Sequence, residues 1–381
     1  MRFPLPLLAA LLCAALPCQA QDAADRWVEA MASKRLKAEE IAVGPAIYST
    51  LCLSPDGKAL YSHRHREEVD FTNLYDLIRV DLRSGETNVV VDTGSSNWTL
   101  DRLKSGVLVA AAVKNHGSHR LLLVREKKVV RAPWGDQVVG GHHLVKGEIV
   151  LEDDTAVFGL RGKERVELHR FKGKEGSVRA GAVWRREVIV VEILSDSNKD
   201  GKIDYDDLRT YSMLRYEAGF KDPKVADLYQ DRKELKMVSV QWLPDGRLLV
   251  LENFDSNGDG TADYKDSAYH LRLLDPATRK LTGAISGIWS IRGASLRVHS
   301  SGAFLFAADS VDEKKLETRV YVARVGGKPK EILHLTDGEF GSFDVSPDWK
   351  TLVFAKVADT DGDGNYYNWK DKSTLYRVSL E

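Results

Sequence analysis

Cysteine is scarce in this chain: the 381 residues contain only three, at Cys13, Cys18 and Cys52. Two of them lie in an N-terminal segment that has the features of a removable export signal. Cys52 would then be the only cysteine of the mature chain, which excludes an intramolecular disulfide. An exported chain of this length without disulfides needs a large hydrophobic core or another cross-link, such as a bound metal ion.

Long hydrophobic runs are also lacking. The most apolar segment, Leu5 to Leu16, is shorter than the roughly 20 residues that span a bilayer. A positive residue precedes it and a small-residue cleavage site ending at Ala20 follows, so residues 1–20 are predicted to be a signal peptide. Cys18 raises the alternative of a lipoprotein signal, which the residues before it match poorly. We expect export to the periplasm or the cell exterior, with no transmembrane segment in the mature chain.

Charge of one sign is not in excess. The chain has 55 Lys and Arg residues against 56 Asp and Glu residues, and loss of Arg2 with the signal leaves the mature chain slightly acidic. Proteins that bind nucleic acid or anionic membranes carry a basic excess or a basic patch. The composition therefore predicts no nucleic-acid partner.

Helical periodicity occurs in only one place. Residues 21–45 are predicted to hold a helix from Ala23 to Glu40 and a possible closing strand from Glu40 to Pro45. From residue 46 onward, short β-rich runs such as Leu248 to Leu251 alternate with turn signals about every 8 to 12 residues, which is typical of an all-β architecture.

The β-rich part repeats with a long period. A Pro-Asp turn precedes an apolar run at Pro55, Pro244 and Pro347, and this residue pair suits a tight turn. The spacing of the three prolines corresponds to four and then two units of about 50 residues, the size of a four-stranded propeller blade. Residues 46–381 are therefore predicted to form a β-propeller, with six blades as the alternative to seven. The seven blades would begin near residues 46, 96, 138, 180, 236, 288 and 340.

The last of these units holds only three strands. A strand from the other end of the chain, between Glu40 and Pro45, would complete it and close the ring, which removes exposed sheet edges.

The turn Ser54-Pro55-Asp56-Gly57-Lys58 and the later strand from Tyr75 to Leu82 resemble the TolB-like (WD40-like) propeller repeat. The first, fifth and last units carry this resemblance. It implies a β-propeller and a role in protein interaction. Repeats of this kind also occur beside peptidase domains, so the resemblance does not identify the partner.

Three acidic loops carry the clearest chemical signal. Their oxygen-bearing residues alternate as in the twelve-position calcium loop of EF-hands, with ligands at positions 1, 3, 5, 7, 9 and 12 and glycine at position 6. Alternate carboxylates can surround one hard cation, glycine permits the sharp bend, and position 7 contributes a backbone carbonyl. The predicted Ca²⁺ ligands are Asp196, Asn198, Asp200, Lys202, Asp204 and Asp207 in loop 1; Asp255, Asn257, Asp259, Thr261, Asp263 and Asp266 in loop 2; and Asp359, Asp361, Asp363, Asn365 and Asp371 in loop 3.

The three loops differ in how well they match the twelve-position calcium motif. In loop 3 the twelfth position is Lys370, so closure by Asp371 requires one extra residue. Asp, Asn and Gly are also ordinary turn residues, but three matches in one chain favour calcium over chance. Strand patterns rather than helices flank the loops, so these are not the helix-paired sites of calcium sensors. The repeat places each loop between the second and third strands of a blade, on one face of the propeller.

Other chemical signals are weak. His63 and His65 alternate on a strand and His142 and His143 are adjacent, but zinc or copper would need a third ligand nearby. The sequence contains no nucleophile elbow, P-loop, dinucleotide fingerprint or zinc-protease helix. We therefore expect an exported calcium-binding scaffold that binds a protein or peptide on its loop-rich face. The alternative is a calcium-dependent hydrolase acting on phosphate esters or lactones; a purely structural envelope protein is a third reading.

Overall fold

The structure, a computed structural model, describes residues 22–381. Gaps in this range fall at residues 35, 45–47, 70–71, 95–98, 105, 113–118, 136, 138, 140, 146–147, 154, 172–175, 204–206, 263–265, 267, 288, 290–295, 310–316, 337–338, 361 and 363–371. The predicted signal peptide, residues 1–20, lies outside the described residues. No helix in the part of the chain that the structure describes is long and apolar enough to span a membrane.

Seven four-stranded antiparallel sheets make up a seven-bladed β-propeller, which confirms the predicted fold. Blade 1 comprises β2 (Tyr48–Leu53), β3 (Ala59–Val69), β4 (Thr72–Asp81) and β5 (Thr87–Gly94). Blade 2 comprises β6 (Thr99–Leu103), β7 (Gly106–Ala112), β8 (His119–Arg125) and β9 (Lys128–Val130). Blade 3 comprises β10 (Gly141–Val145), β11 (Glu148–Asp153), β12 (Ala156–Arg161) and β13 (Glu164–Arg170). Blade 4 comprises β14 (Ser177–Trp184), β15 (Glu187–Ile193), β16 (Arg209–Glu217) and β17 (Lys221–Gln230).

The remaining blades follow the same order. Blade 5 comprises β18 (Leu235–Trp242), β19 (Leu248–Phe254), β20 (Tyr269–Asp275) and β21 (Lys280–Gly283). Blade 6 comprises β22 (Leu296–Val298), β23 (Ala303–Asp309), β24 (Glu317–Arg324) and β25 (Lys330–Thr336). Blade 7 comprises β26 (Glu339–Val345), β27 (Thr351–Ala358), β28 (Lys372–Ser379) and, from the other end of the chain, β1 (Ala38–Gly44).

The closing strand β1 pairs antiparallel with β28, from Ala38 opposite Val378 to Gly44 opposite Ser373. The prediction of a helix as far as Glu40 was wrong, because the helix, α1, covers only residues 22–32. Pairing with β28 satisfies the backbone of residues 38–44 and overrides their local helical pattern.

Neighbouring blades are held together by apolar layers between their sheets. Leu249 and Leu251 of blade 5, for example, pack with Phe304 and Phe306 of blade 6, and all four side chains are fully buried. Side chains on a strand alternate between its two faces, so each middle strand contributes to the layers on both sides. These layers form a large core, and Cys52, the cysteine within the described residues, is free and buried.

Helix α1 adds a cover to blades 6 and 7. Its Val28 and Met31 are buried in the core of these blades. Trp27 stacks on His299 with 4.6 Å between ring centroids and meets Trp349 edge-on at 5.3 Å. His299 and Trp349 lie in turns between first and second strands, so α1 covers the propeller face that carries those turns.

The first strands of successive blades contact one another and form the inner ring. Asp344 of β26 connects several blades in this ring. Its Oδ2 accepts hydrogen bonds from Leu53 N in blade 1 (2.8 Å) and Arg102 Nη2 in blade 2 (2.5 Å), and its Oδ1 accepts from Arg297 Nε in blade 6 (3.3 Å). Arg102 also donates through Nε to Leu53 O at 2.7 Å. One carboxylate therefore cross-links the two ends of the propeller chain.

Candidate functional site

The three acidic loops share one end of the propeller. Loop 1 joins β15 to β16, loop 2 joins β19 to β20, and loop 3 joins β27 to β28. Each connects the second strand of a blade to the third. Because the strands within every blade are antiparallel, these connections emerge on one face of the ring, which we call the loop face. The Pro-Asp turns and α1 lie on the opposite face.

In loop 2 the acidic side chains fold the backbone around themselves. Asp255 accepts from Asp259 N through Oδ1 (3.1 Å) and from Gly260 N through Oδ2 (2.8 Å). Asn257 Oδ1 accepts from Asp259 N at 2.8 Å, and Asp259 Oδ1 accepts from Thr261 N at 2.9 Å. The side chains at positions 1, 3 and 5 are thus turned toward the inside of one curled loop.

Loop 1 has the same arrangement, residue for residue. Asp196 accepts from Asp200 N through Oδ1 (3.2 Å) and from Gly201 N through Oδ2 (2.9 Å). Asn198 Oδ1 accepts from Asp200 N at 3.0 Å, and Asp200 Oδ1 accepts from Lys202 N at 2.9 Å. Over positions 1 to 8, which the structure describes, the two loops differ in sequence at positions 4, 7 and 8 and yet share these backbone contacts.

Position 6 favours glycine because of its backbone conformation, not because a side chain would lack room. Gly201 and Gly260 have φ values of 87° and 88°, a conformation that other residues rarely adopt, and a Cβ at either would meet nothing within 4 Å.

The closing aspartates are buried, whereas the residues at positions 3 and 5 are exposed. Asp207 and Asp266 are 0% and 1% exposed. Asp266 Oδ1 accepts from Ser256 N (2.8 Å) and Ser256 Oγ (2.9 Å), and Asp207 Oδ1 accepts from Ser197 N (2.6 Å) and Ser197 Oγ (2.9 Å). These serines at position 2 were missed in the sequence, although serine follows the first aspartate in both loops.

Loop 3 is described only in part, and the ninth position of loops 1 and 2 lies outside the described residues. Asp359 Oδ1 accepts from Gly362 N at 2.7 Å, the same contact and distance as between Asp255 and Gly258 in loop 2. The other predicted ligands outside the described residues are Asp204, Asp263, Asp361, Asp363, Asn365 and Asp371.

The donor set determines which metal would suit the loops. Within the described ranges, no group of three or more His, Cys, Asp or Glu side chains is close enough to hold a metal ion; Asp204 and Asp263, at position 9, lie in the gaps. The described donors of loops 1 and 2 are carboxylate, amide and carbonyl oxygens. Hard cations such as Ca²⁺ take six to eight such ligands, whereas zinc and copper prefer nitrogen or sulfur. The loops fit calcium chemistry.

Of the histidines noted in the sequence, His63 and His142 are core residues, whereas His143 is half-buried and its Nε2 lies 2.9 Å from Ala180 O. His63 and His142 are 0% and 1% exposed. Burial lowers the pKa of each to about 3, and the neighbouring His143 adds to the effect at His142. Asp101 Oδ2 lies 3.5 Å from His142 Nε2, and burial raises the pKa of this carboxyl. Both imidazoles are therefore neutral at ordinary pH.

A cavity of about 190 Å³ lies between blades 4 and 5. Its lining mixes apolar and polar side chains, among them Val238 and Val240 of β18 and Arg209 and Tyr211 of β16. The Tyr211 hydroxyl donates to Met237 O at 2.5 Å, and burial raises its pKa, so it is neither free nor acidic enough for general-base chemistry.

Comparisons with known proteins establish the fold and no more. No family model matches the chain, and no curated protein matches it in sequence. An oligogalacturonate lyase in complex with manganese is similar in structure, with 12% identity and a TM-score of 0.50 over 91% of this chain and 97% of that chain. The β-propeller domain of Myceliophteria thermophila Cps50 (Swd1) has 10% identity and a TM-score of 0.50 over 89% and 98%. Kuenenia stuttgartiensis hydrazine synthase has 12% identity and a TM-score of 0.50 over 90% and 96%. At these identities the shared property is the β-propeller itself.

Proposed function

We propose that the chain is an exported, TolB-like β-propeller that binds Ca²⁺ in loops 1 and 2 and uses its loop face to bind a protein or peptide. The observation that carries this proposal is the repeated arrangement at positions 1, 3, 5, 6 and 12 of the two loops. Loop 3 is a further calcium site in this proposal, on the evidence of Asp359 and its contact with Gly362.

Export and calcium binding support each other in this proposal. Extracellular calcium modules bind with dissociation constants of about 10⁻⁴ to 10⁻³ M, which is sufficient where calcium is abundant. A closing aspartate is shorter than the usual glutamate, so an affinity in this weak range is expected. A chain without disulfides would gain from ions that fix its long connections.

A structural role for calcium leads to the scaffold function. Strands anchor both ends of loops 1 and 2. The described residues around these loops hold no helix pair that could open on calcium binding. Bound calcium would therefore hold a fixed surface on the loop face. Peptide-binding surfaces on rigid connections need little ordering on association, which favours affinity.

Calcium is expected to raise the melting temperature of the mature protein, and EDTA to lower it. Each occupied site should stabilise the folded chain by RT ln(1 + [Ca²⁺]/Kd), about 2.7 kcal/mol at a hundredfold excess over Kd. Asp259→Ala should remove the contribution of loop 2. Asp245→Ala is the matched control, because Asp245 is an aspartate of the same blade on the opposite face and forms an exposed ion pair with Arg247.

The same preparation distinguishes scaffold from hydrolase. Phosphate-ester and lactone substrates should show no turnover at any calcium concentration. Calcium-dependent turnover that Asp259→Ala abolishes in a folded protein would favour the hydrolase. A melting temperature that ignores both calcium and EDTA would refute the metal assignment.

A further inference from the structure

Loops 1 and 2 belong to adjacent blades, and one short segment touches both. Residues 231–235, which we call the blade 4–5 connection, lead from β17 to β18. The connection turns tightly, because Arg232 N donates to Leu235 O (2.9 Å) and Leu235 N donates to Arg232 O (3.1 Å). It joins a fourth strand to the next first strand and therefore lies on the loop face.

Asp231 attaches the connection to the end of loop 1. This carboxylate is only 4% exposed and is not part of either calcium motif. Its Oδ2 accepts from Arg209 N at 3.2 Å, and its own N donates to Arg209 O at 2.9 Å. Arg209 begins β16, two residues after the closing aspartate Asp207. Through Oδ1, Asp231 also accepts from Met237 N in β18 at 2.8 Å.

The tip of the same connection attaches to loop 2 through backbone carbonyls. Lys233 O accepts from Ala262 N at 2.9 Å, and Glu234 O accepts from Asp255 N at 3.1 Å. Asp255 is the first calcium position of loop 2, and Ala262 follows the seventh. Backbone hydrogen bonds therefore attach the connection to Arg209, just after loop 1, and to both halves of loop 2.

We propose that loops 1 and 2 bind Ca²⁺ with positive cooperativity, transmitted by the blade 4–5 connection with Asp231 as its positioning residue. This inference rests on the proposed calcium function. An ion in loop 1 fixes Asp207 and the residues after it, and so restrains Arg209, Asp231 and the connection. The second ion then binds to a loop whose backbone partners are already ordered, which reduces the entropy cost. By linkage, the effect is equal in both directions.

Repulsion between two divalent ions acts against this coupling. Salt screens that repulsion over about 8 Å at 0.15 M ionic strength, whereas it has little effect on a chain of backbone hydrogen bonds. At physiological ionic strength, the repulsion between the two ions is therefore weakened more than the coupling through the blade 4–5 connection. The net coupling should remain positive under these conditions.

The test is calcium titration by calorimetry at 0.15 M salt, with loop 3 disabled by Asp359→Asn in every protein. Asp200→Ala and Asp259→Ala each leave one working loop and give the two separate dissociation constants. These two constants predict how the two-loop protein would bind if its sites were independent. The second ion should bind at least about fivefold more tightly than that prediction. Asp231→Asn keeps the shape of the side chain but replaces one accepting oxygen with a donor, so it should remove this enhancement.

Two controls separate coupling from charge and from misfolding. Asp227→Asn makes the same charge change at an exposed position of β17, outside the connection and both loops, so the enhancement should persist. Asp231→Asn is also combined with each one-loop substitution, which gives the calcium dissociation constant of each loop in that variant. A thermal melt of Asp231→Asn confirms that it is folded.

Independent binding in the two-loop protein would overturn the coupling while leaving the proposed calcium function intact. An enhancement that survives Asp231→Asn would overturn the role of Asp231. Absence of calcium binding in the one-loop and two-loop proteins alike would refute the proposed function, and the coupling with it.

Discussion

Asp344→Ala is expected to lower the free energy of unfolding by about 3–5 kcal/mol, the usual cost of removing one partner from a buried charge network. The substitution leaves Arg102 and Arg297 without their shared carboxylate and removes the acceptor of Leu53 N. Since these partners come from blades 2, 6 and 1, the ring should weaken where its two ends meet. Urea unfolding of the mature protein measures the effect.

Asp245→Ala again serves as the matched control. Asp245 pairs with Arg247 at 2.6 Å, but both side chains are about 40% exposed, and exposed pairs contribute at most about 1 kcal/mol. If the two substitutions cost the same, the Asp344 network is not what closes the ring.

Acid is expected to destabilise the propeller through His63 and His142. The folded pKa of each is about 3, below the unfolded value of 6.5, so the unfolded chain binds more protons between these pH values. Stability from these groups is complete above pH 6.5 and is lost as the pH falls toward 3. The expected loss in this window is about 1.4 kcal/mol per pH unit for each histidine.

The histidine effect must be read as a difference between proteins. Burial raises the pKa of Asp231 to about 6, so that group favours the folded state as the pH falls and partly offsets the histidines. Comparing wild type with His63→Gln cancels this contribution. Between pH 6.5 and 4.5 the variant should lose less stability per pH unit, by about 1.4 kcal/mol. If stability falls equally with pH in wild type and His63→Gln, the pKa of His63 is not lowered in the folded state, which would contradict this prediction.

Much of the fold was predictable because short local patterns, such as the Pro-Asp turns and the apolar strand runs, mark its elements. The Pro-Asp turns mark first-to-second-strand connections in blades 1, 5 and 7. In the first of these turns, Ser54 Oγ accepts from Ala59 N and donates to Asp56. Ser346 makes the same contacts in the last. Their period predicted seven blades with six as the alternative, and the structure has seven.

The parts that the sequence did not reveal depend on contacts between distant residues. The helix ended early because β28, more than 300 residues later, pairs with residues 38–44. The Asp344 network joins residues from four blades, and no local pattern distinguishes Asp344 from other strand aspartates. Asp231 was missed for the same reason. Its carboxylate accepts from the backbone of Arg209 and Met237, and no sequence motif links these residues to it.

The candidate sites were predictable in composition but not in detail. Spacing alone predicted the alternating oxygen-bearing residues and the glycine at position 6 of loops 1 and 2; calcium binding by these residues stays a prediction. It did not indicate that the closing aspartates are buried and hold the backbone of position 2, since burial depends on how each loop rests against its blade.

The assignment of calcium to the acidic loops is tested most directly by the number of calcium ions that the protein without residues 1–20 binds. Flow dialysis with ⁴⁵Ca²⁺ should find one ion each in loops 1, 2 and 3. Asp200→Ala and Asp259→Ala should each remove one ion, and Asp245→Ala none. A stoichiometry that these loop substitutions leave unchanged would contradict the assignment of calcium to the acidic loops.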